Sequence, residues 1–224
     1  MRHLALGLAA TLLAGAAQAA NIDTTGVRSG GLQYFGQGST RTLGQTFTPD
    51  ATQTSLTGFS IFLDRIGPFT NTGPLDLKGY LATWDGSKAG TIRYTSDVRT
   101  KPNDNNLAEF AFATAQALVA SQQYVAFLSI LEINPAQTDP RLFEMPVDGT
   151  NPLAGGQSVF SNADSFASLT SSAWDGANRF PRFDSFFKAS FATGTPVPEP
   201  ATLVLLSVGL LGLGLARGRR ARAG

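Results

Sequence analysis

The stretch Leu56-Thr-Gly-Phe-Ser-Ile-Phe-Leu63 decides the fold class of this chain. Apolar side chains recur there at every second position and place Phe59, Ile61 and Leu63 on one face, which is the period of a β-strand. Similar short runs occupy residues 75–84, 92–95, 108–112, 124–131 and 186–191, with weaker candidates at 43–47 and 159–161. Eight or nine short strands separated by turns predict an all-β protein, an antiparallel β-sandwich of jelly-roll-like layout.

Two of these runs predict where their strands lie. Residues 75–84 put Leu75, Leu77 and Leu81 on one face and Tyr80, Ala82 and Trp84 on the other. Residues 124–131 are apolar on both faces, as in a central strand that is covered on two sides. Residues 107–119 fit a helix as well as a strand, and we prefer a strand followed by a turn. Turns are indicated by Asp-Gly pairs at 85–86, 148–149 and 175–176, because these residues tolerate positive φ.

The composition excludes several function classes. The chain has no cysteine and a single histidine, His3, which lies in a segment that we expect to be removed. A mature protein without either residue has no thiol nucleophile, no serine-histidine-aspartate triad and no histidine zinc site. Residues 20–195 carry twelve basic and fifteen acidic side chains, a net charge of −3, so we expect no nucleic-acid partner.

The first nineteen residues have the parts of a secretory signal peptide. Arg2 and His3 precede an apolar run over residues 4–16, and Ala17-Gln18-Ala19 supplies the small residues that signal peptidase accepts. We therefore place the cleavage after Ala19. The alternative is a buried N-terminal helix.

The end of the sequence has three parts in a fixed order. Val197-Pro198-Glu199-Pro200 is a stiff, non-helical peptide, and residues 201–216 follow without a charge. As a helix this run is about 24 Å long, short of the ~30 Å hydrocarbon core, so it spans only with thinning or snorkelling. Four arginines then predict a cytoplasmic stop-transfer tail: Arg217, Arg219, Arg220 and Arg222.

This order resembles the PEP-CTERM sorting signal of Gram-negative bacteria that make exopolysaccharide. The resemblance covers residues 197–222 and implies processing by an exosortase, a membrane cysteine protease, with Pro198, Glu199 and Pro200 as the recognition motif. The alternative is an ordinary tail anchor behind a proline-rich linker. On this basis we divide the chain into a signal peptide (1–19), a β-sandwich domain (20–191), a linker with the motif (192–200), a transmembrane helix (201–216) and a cytoplasmic tail (217–224).

The domain between these ends is similar in layout to sandwich domains found ahead of such tails and other surface anchors. The segments that carry this resemblance are 44–48, 56–63, 79–86, 124–128, and Trp174 followed by 184–191. It brings no catalytic signature with it.

Two tryptophans are candidates for glycan binding. Trp84 and Trp174 each begin a Trp-Asp-Gly tripeptide, and an indole at a strand end can stack on a sugar ring. The alternative reading is that each packs at the end of the sandwich and covers the core. Tyr34 and Phe35, within a glycine-flanked segment, are further candidates for exposed aromatic residues.

Carboxylates and loop oxygens leave two further kinds of site open. Glycoside hydrolysis needs two carboxylates, and the candidates are Glu109, Glu132, Glu144, Asp64 and Asp85, whose alternative roles are solvent exposure or pairing with arginines. Asn103 and Asp104 lie in a run of hard oxygen ligands that suits structural calcium, though such clusters are more often plain turns. We expect no other cofactor.

Together these features predict an exported protein that passes through an inner-membrane intermediate, with its domain in the periplasm, to the cell envelope or extracellular matrix. We expect signal peptidase and an exosortase to process it, and the domain to bind or build exopolysaccharide without catalysis. The alternatives are a polysaccharide-modifying hydrolase that uses two carboxylates, and a passive envelope domain without a ligand.

Overall fold

The structure is a computed structural model that describes residues 21–36, 40–65, 73–133, 143–177, 179–180 and 182–192. Its thirteen strands are β1 (Ile22–Asp23), β2 (Arg28–Phe35), β3 (Thr42–Phe47), β4 (Ser55–Arg65), β5 (Leu75–Trp84), β6 (Ala89–Thr95), β7 (Arg99–Lys101), β8 (Ala108–Ala117), β9 (Tyr124–Ser129), β10 (Phe143–Asp148), β11 (Gln157–Ser161), β12 (Asp184–Ser185) and β13 (Phe187–Phe191). One short helix, α1 (Ser168–Ser171), lies between β11 and β12. The predicted all-β class is confirmed.

The strands form two sheets in which every paired strand is antiparallel to its neighbour. The first sheet runs β1-β13-β4-β10-β12, with β2 beside β10 and β8 beside β4. The second runs β11-β3-β9-β5-β6, with β7 beside the start of β5. Among the described residues, no helix has the length and apolar character needed to cross a membrane.

Side chains from both sheets meet in a main core. Phe47 of the second sheet lies 5.5 Å from Phe187 of the first, measured between ring centroids, and Phe59 and Tyr94 meet edge to face at 5.8 Å. The close approach of the sheets explains why residue 79 is a glycine, because a Cβ at that position would lie 2.4 Å from the Phe112 ring. Burial of these large rings supplies the main driving force for folding.

Strand β5 confirms the predicted division of its two faces. Leu75, Leu77 and Leu81 belong to the main core. Tyr80, Ala82 and Trp84 belong to a second core on the other side of the same sheet. Val159 of β11, a strand of the same sheet, also belongs to this second core, and the segment after β11 covers it with Leu169 and Trp174. The second sheet is therefore covered by apolar side chains on both faces.

The remaining strand predictions have mixed outcomes. Residues 107–119 contain strand β8 rather than a helix, and β9 is fully buried between β3 and β5. Strand β3, a weaker candidate in the sequence, is also fully buried. The sequence pattern does not predict β2 and β10. Strand β2 contains two glycines and lacks an apolar alternation, whereas Phe143, Met145 and Val147 of β10 alternate but enclose Pro146, which has no N–H to donate to a ladder. Pairing between them compensates, because it satisfies backbone groups that neither segment satisfies alone.

Candidate functional site

The two Trp-Asp-Gly tripeptides meet in space. The ring centroids of Trp84 and Trp174 lie 5.2 Å apart in an edge-to-face arrangement, and the two residues are only 2% and 3% exposed. Trp174 donates its backbone N–H to the Ser87 carbonyl at 2.9 Å and its indole Nε1–H to the Leu169 carbonyl at 2.8 Å. Sugar stacking needs an exposed ring face, so this geometry supports the alternative reading, in which both indoles pack in the core.

The residues that follow the two tryptophans have different structural roles. Asp85 accepts hydrogen bonds from the backbone N–H groups of Ser87 and Lys88, which holds a turn, and its pKa is lowered by these bonds. Gly86 has φ +99°, a conformation that favours glycine. Gly176 is required for space, since a Cβ there would lie 2.3 Å from Cδ1 of Phe160. The repeated tripeptide is therefore a coincidence of two packing solutions.

Two of the predicted carboxylates come together on the first sheet. Asp64 and Glu144 lie opposite each other on β4 and β10. Arg28 bridges them: it donates to Asp64 at 2.6 Å and also pairs with Glu144, which is 7% exposed. A shared arginine compensates both negative charges and satisfies their acceptors. This arrangement fits the predicted alternative role of these residues as arginine partners.

The other two glutamates lie apart from this pair. Glu132 accepts hydrogen bonds from the Tyr80 hydroxyl at 2.8 Å and from Lys78 Nζ at 3.0 Å. Burial opposes ionisation of Glu132, but these bonds outweigh it and lower its pKa. Glu109 is exposed and its nearest cation, Lys188, is 3.9 Å away. The lowered pKa of Glu132 is the opposite of the raised pKa that a general acid requires near neutral pH.

Asp148 and Asp184 form a carboxylate pair that the sequence did not single out. They lie opposite each other on β10 and β12, and both are buried. Asp148 accepts hydrogen bonds from the Thr150 hydroxyl, the Thr150 N–H and the Val27 N–H. The bond from the hydroxyl contributes most to the lowering of the Asp148 pKa. Burial raises the pKa of Asp184, which accepts bonds from Leu153 N–H and Gln45. These contacts are structural, since each carboxylate holds loop backbone in place.

The opposite pKa shifts predict opposite pH dependences for two variants. The stability that Asp148 contributes is present above its unfolded pKa and is lost as pH falls through its lowered folded pKa. Asp184 behaves in the reverse way: its contribution is complete below the unfolded pKa and is lost as pH rises through the raised folded value. Relative to wild type, we expect Asp148→Asn to lose about 1–3 kcal/mol at pH 7 and less near pH 2.5. The penalty of Asp184→Asn should instead shrink as pH rises.

Urea unfolding of the two variants and of wild type between pH 2.5 and pH 7 measures both differences. Each variant serves as the control for the other, because a general effect of acid on the domain would move both in the same direction. Parallel curves for the two variants would contradict the assignment.

The predicted calcium loop is organised around a lysine. Lys101 is fully buried, and its Nζ donates to Asp104 Oδ1 at 2.8 Å and to the carbonyl oxygens of Pro102 at 3.1 Å and Asp104 at 3.4 Å. The hydrogen bond from Lys101 is the largest cause of the lowered pKa of Asp104. An ammonium group thus takes oxygens that calcium would need. Calcium binding at Asn103 and Asp104 stays a prediction.

A cleft of about 450 Å³ opens between the two sheets, in a place that the sequence did not indicate. Its volume falls within the ~300–1,000 Å³ range of small-molecule sites. Strand β2 forms one wall with Gly30 and Gly31, which bring bare backbone to the surface. Four aromatic side chains also line the cleft: Tyr34, Phe160, Phe180 and Phe183.

Two residues give this cleft its polar character. Tyr34 is 45% exposed and has φ +69°, which is uncommon for a residue with a side chain and is held here by its neighbour Phe35, fully buried in the core. The expectation that Phe35 is exposed is therefore wrong. Arg179 is exposed, and its guanidinium carbon lies 5.9 Å from the ring centroids of both Phe160 and Phe180. Within the described residues, no carboxylate forms an ion pair with Arg179.

Comparison with known proteins identifies a feature outside this domain. A family model described as the PEP-CTERM protein-sorting motif matches residues 196–220. The chain carries a PEP-CTERM sorting motif. Its presence implies an exported, envelope-directed protein that an exosortase processes. No curated protein matches the chain.

The PEP-CTERM match confirms the resemblance predicted from the sequence. Its own residues lie outside those that the structure describes, including Pro198, Glu199, Pro200, the apolar run 201–216 and Arg217, Arg219, Arg220 and Arg222. The predicted signal peptide, with its cleavage residues Ala17 and Ala19, also lies outside the described residues. These residue assignments and the domain boundaries stay predictions.

Proposed function

We propose that this protein is a non-catalytic component of an exopolysaccharide matrix. It enters the export pathway through residues 1–19, and residues 201–216 hold it in the inner membrane with its domain in the periplasm. An exosortase then processes it at the Pro-Glu-Pro motif, and the domain, a β-sandwich of jelly-roll-like layout, binds polysaccharide in the envelope or outside the cell. The PEP-CTERM match at residues 196–220 is the observation that carries this proposal.

The cleft supports the binding part of the proposal. Sugar rings present C–H faces that pack on aromatic rings, and their hydroxyls need polar partners at the rim. The cleft offers both, since Tyr34 is exposed, Phe180 is partly buried, and the exposed Ser29 is among its polar lining residues. It replaces Trp84 and Trp174 as the glycan site that we favour.

The carboxylate contacts support the non-catalytic part. Retaining glycosidases need one carboxylic acid and one carboxylate about 5 Å apart, both facing the substrate. Among the described residues that line the cleft there is no aspartate or glutamate. The Asp64–Glu144 pair is bridged by Arg28, and Asp148 and Asp184 are buried in structural contacts.

Co-sedimentation with the host's own exopolysaccharide tests this function. We expect the protein recovered from the host envelope fraction to sediment with the polysaccharide and to release no reducing ends from it. Tyr34→Asn should reduce retention, since asparagine tolerates the left-handed backbone but removes the ring. Leu107→Asn, at a position 47% exposed against 45% for Tyr34, is the matched control and should bind normally.

Two outcomes would contradict the proposal. Failure of the wild-type protein to sediment with the polysaccharide would exclude a binding role. Release of reducing ends would instead favour the hydrolase alternative, and Glu→Gln changes at 109, 132 and 144 would then locate its carboxylates.

A further inference from the structure

The cleft combines a row of phenylalanine rings, in tilted and edge-to-face contacts, with one cation. The ring centroids of Phe160 and Phe180 lie 6.1 Å apart, and those of Phe180 and Phe183 lie 6.4 Å apart, so three phenylalanines follow one another along the wall. Arg179 lies over the first two of these rings. Such contacts hold a guanidinium group in a defined position while its N–H groups still face outward.

Among the residues that the structure describes, Arg179 has no carboxylate partner. Every other cleft-lining residue that the structure describes is uncharged, and residues 20–195 as a whole carry a net charge of −3. The other arginines on that side of the fold are used differently: Arg28 bridges two carboxylates, and Arg41 pairs with Asp164 at 3.3 Å. An exposed guanidinium, positioned on rings and facing a cleft, is suited to an anion brought by a ligand.

We propose that the cleft binds an acidic sugar residue of a polysaccharide, with Arg179 paired to the sugar carboxylate and Tyr34 packed against the sugar ring. This inference rests on the proposed polysaccharide-binding function and names the class of sugar. A carboxylate matches the planar fork of the guanidinium with two parallel hydrogen bonds, whereas a neutral sugar leaves the cation without a counter-ion. Gly30 of β2 adds no side chain on the cleft side of this wall, where a Cβ would contact Val147, another lining residue.

Binding of the full-length protein to alginate, a polymer of uronic acids, tests the assignment. Its matched probe is carboxyl-reduced alginate, in which each carboxyl group has become a primary alcohol. We expect wild type to prefer alginate and the preference to weaken as salt is added, because the ion pair is accessible to solvent. Arg179→Gln should lose roughly tenfold in affinity for alginate and retain its affinity for the reduced polymer.

Arg182→Gln is the control for charge, since Arg182 is exposed three residues further on and is absent from the cleft lining. It should bind alginate within about twofold of wild type. Melting temperatures of both variants should match wild type, which separates a binding defect from a folding defect.

The results separate failure of this inference from failure of the proposed function. Equal binding of the two polymers by wild type, or equal losses in Arg179→Gln and Arg182→Gln, would overturn the acidic-sugar assignment. If the host exopolysaccharide were still retained through Tyr34 in that case, the binding function would stand with a neutral sugar as ligand. Absence of binding to alginate and to the host polymer together would overturn both.

Discussion

Deletion of the host's exosortase should leave the full-length chain, with residues 196–224 attached, in the membrane fraction. On the proposed route, the uncharged run 201–216 and the four arginines behind it hold the unprocessed chain in the bilayer, because moving arginines into hydrocarbon is costly. On the same route, processing separates the domain from this anchor. We therefore expect a nearly complete shift from the processed to the tail-bearing form, visible as the mass of residues 196–224 by mass spectrometry of the membrane fraction.

Variants of the Pro-Glu-Pro motif test the same processing step in a host that keeps its exosortase. Replacing Glu199 and Pro200 together by alanine should reproduce the effect of the deletion. Thr193→Ala, three residues ahead of the matched motif, is the control and should be processed normally. Unchanged processing in the deletion strain would reduce the tail to an ordinary anchor, the alternative that the sequence alone left open.

Trp174→Ala should destabilise the domain by about 3–5 kcal/mol, the usual loss when a buried aromatic side chain is truncated. The indole is 3% exposed, packs edge to face with Trp84 at 5.2 Å and with Phe127 at 5.4 Å, and donates to Leu169. Its removal leaves a cavity in the second core and a carbonyl oxygen without its donor. For a domain of this size the loss corresponds to a decrease in melting temperature on the order of 10 °C.

Thermal unfolding followed by circular dichroism measures this effect. Val119→Ala is the control, because Val119 is 66% exposed and its truncation should change stability by less than about 0.5 kcal/mol. An unchanged melting temperature for Trp174→Ala, together with lost retention on exopolysaccharide, would contradict core packing and restore the glycan-stacking role.

Much of the fold was predictable where a pattern is contiguous and repeats with the strand period. The division of β5 into Leu81 and Tyr80 faces, and the full burial of β9, follow from side-chain alternation within a few residues. Strand β10 has the same alternation at Phe143, Met145 and Val147, but it contains Pro146, and proline argues against a paired strand because it lacks an N–H donor. Its carbonyl nevertheless accepts a bond from Phe186 N–H at 2.7 Å, so the strand depends on partners distant in sequence.

The candidate site was less predictable than the fold. The cleft brings together Tyr34 of β2, Phe160 of β11 and Arg179 from the loop that follows α1, and Tyr34 precedes the other two by more than a hundred residues. No local pattern marks such a set, because each residue alone has the composition of an ordinary strand or loop. The glycine-flanked Tyr34 was the one local signal, and its exposure followed from a left-handed backbone that sequence does not specify.

The sequence by itself determined the all-β class and the sorting signal, because both depend on short contiguous segments. The strand period of apolar residues indicates the first, and the order of motif, apolar run and arginines indicates the second. Only the tertiary structure decided that Trp84 and Trp174 pack against each other, that Lys101 fills the predicted calcium loop, and that a cleft with a positioned arginine opens between the sheets. The physical reason is that burial and cavity shape depend on which distant segments pack together, and a linear pattern records only the neighbours of each residue along the chain.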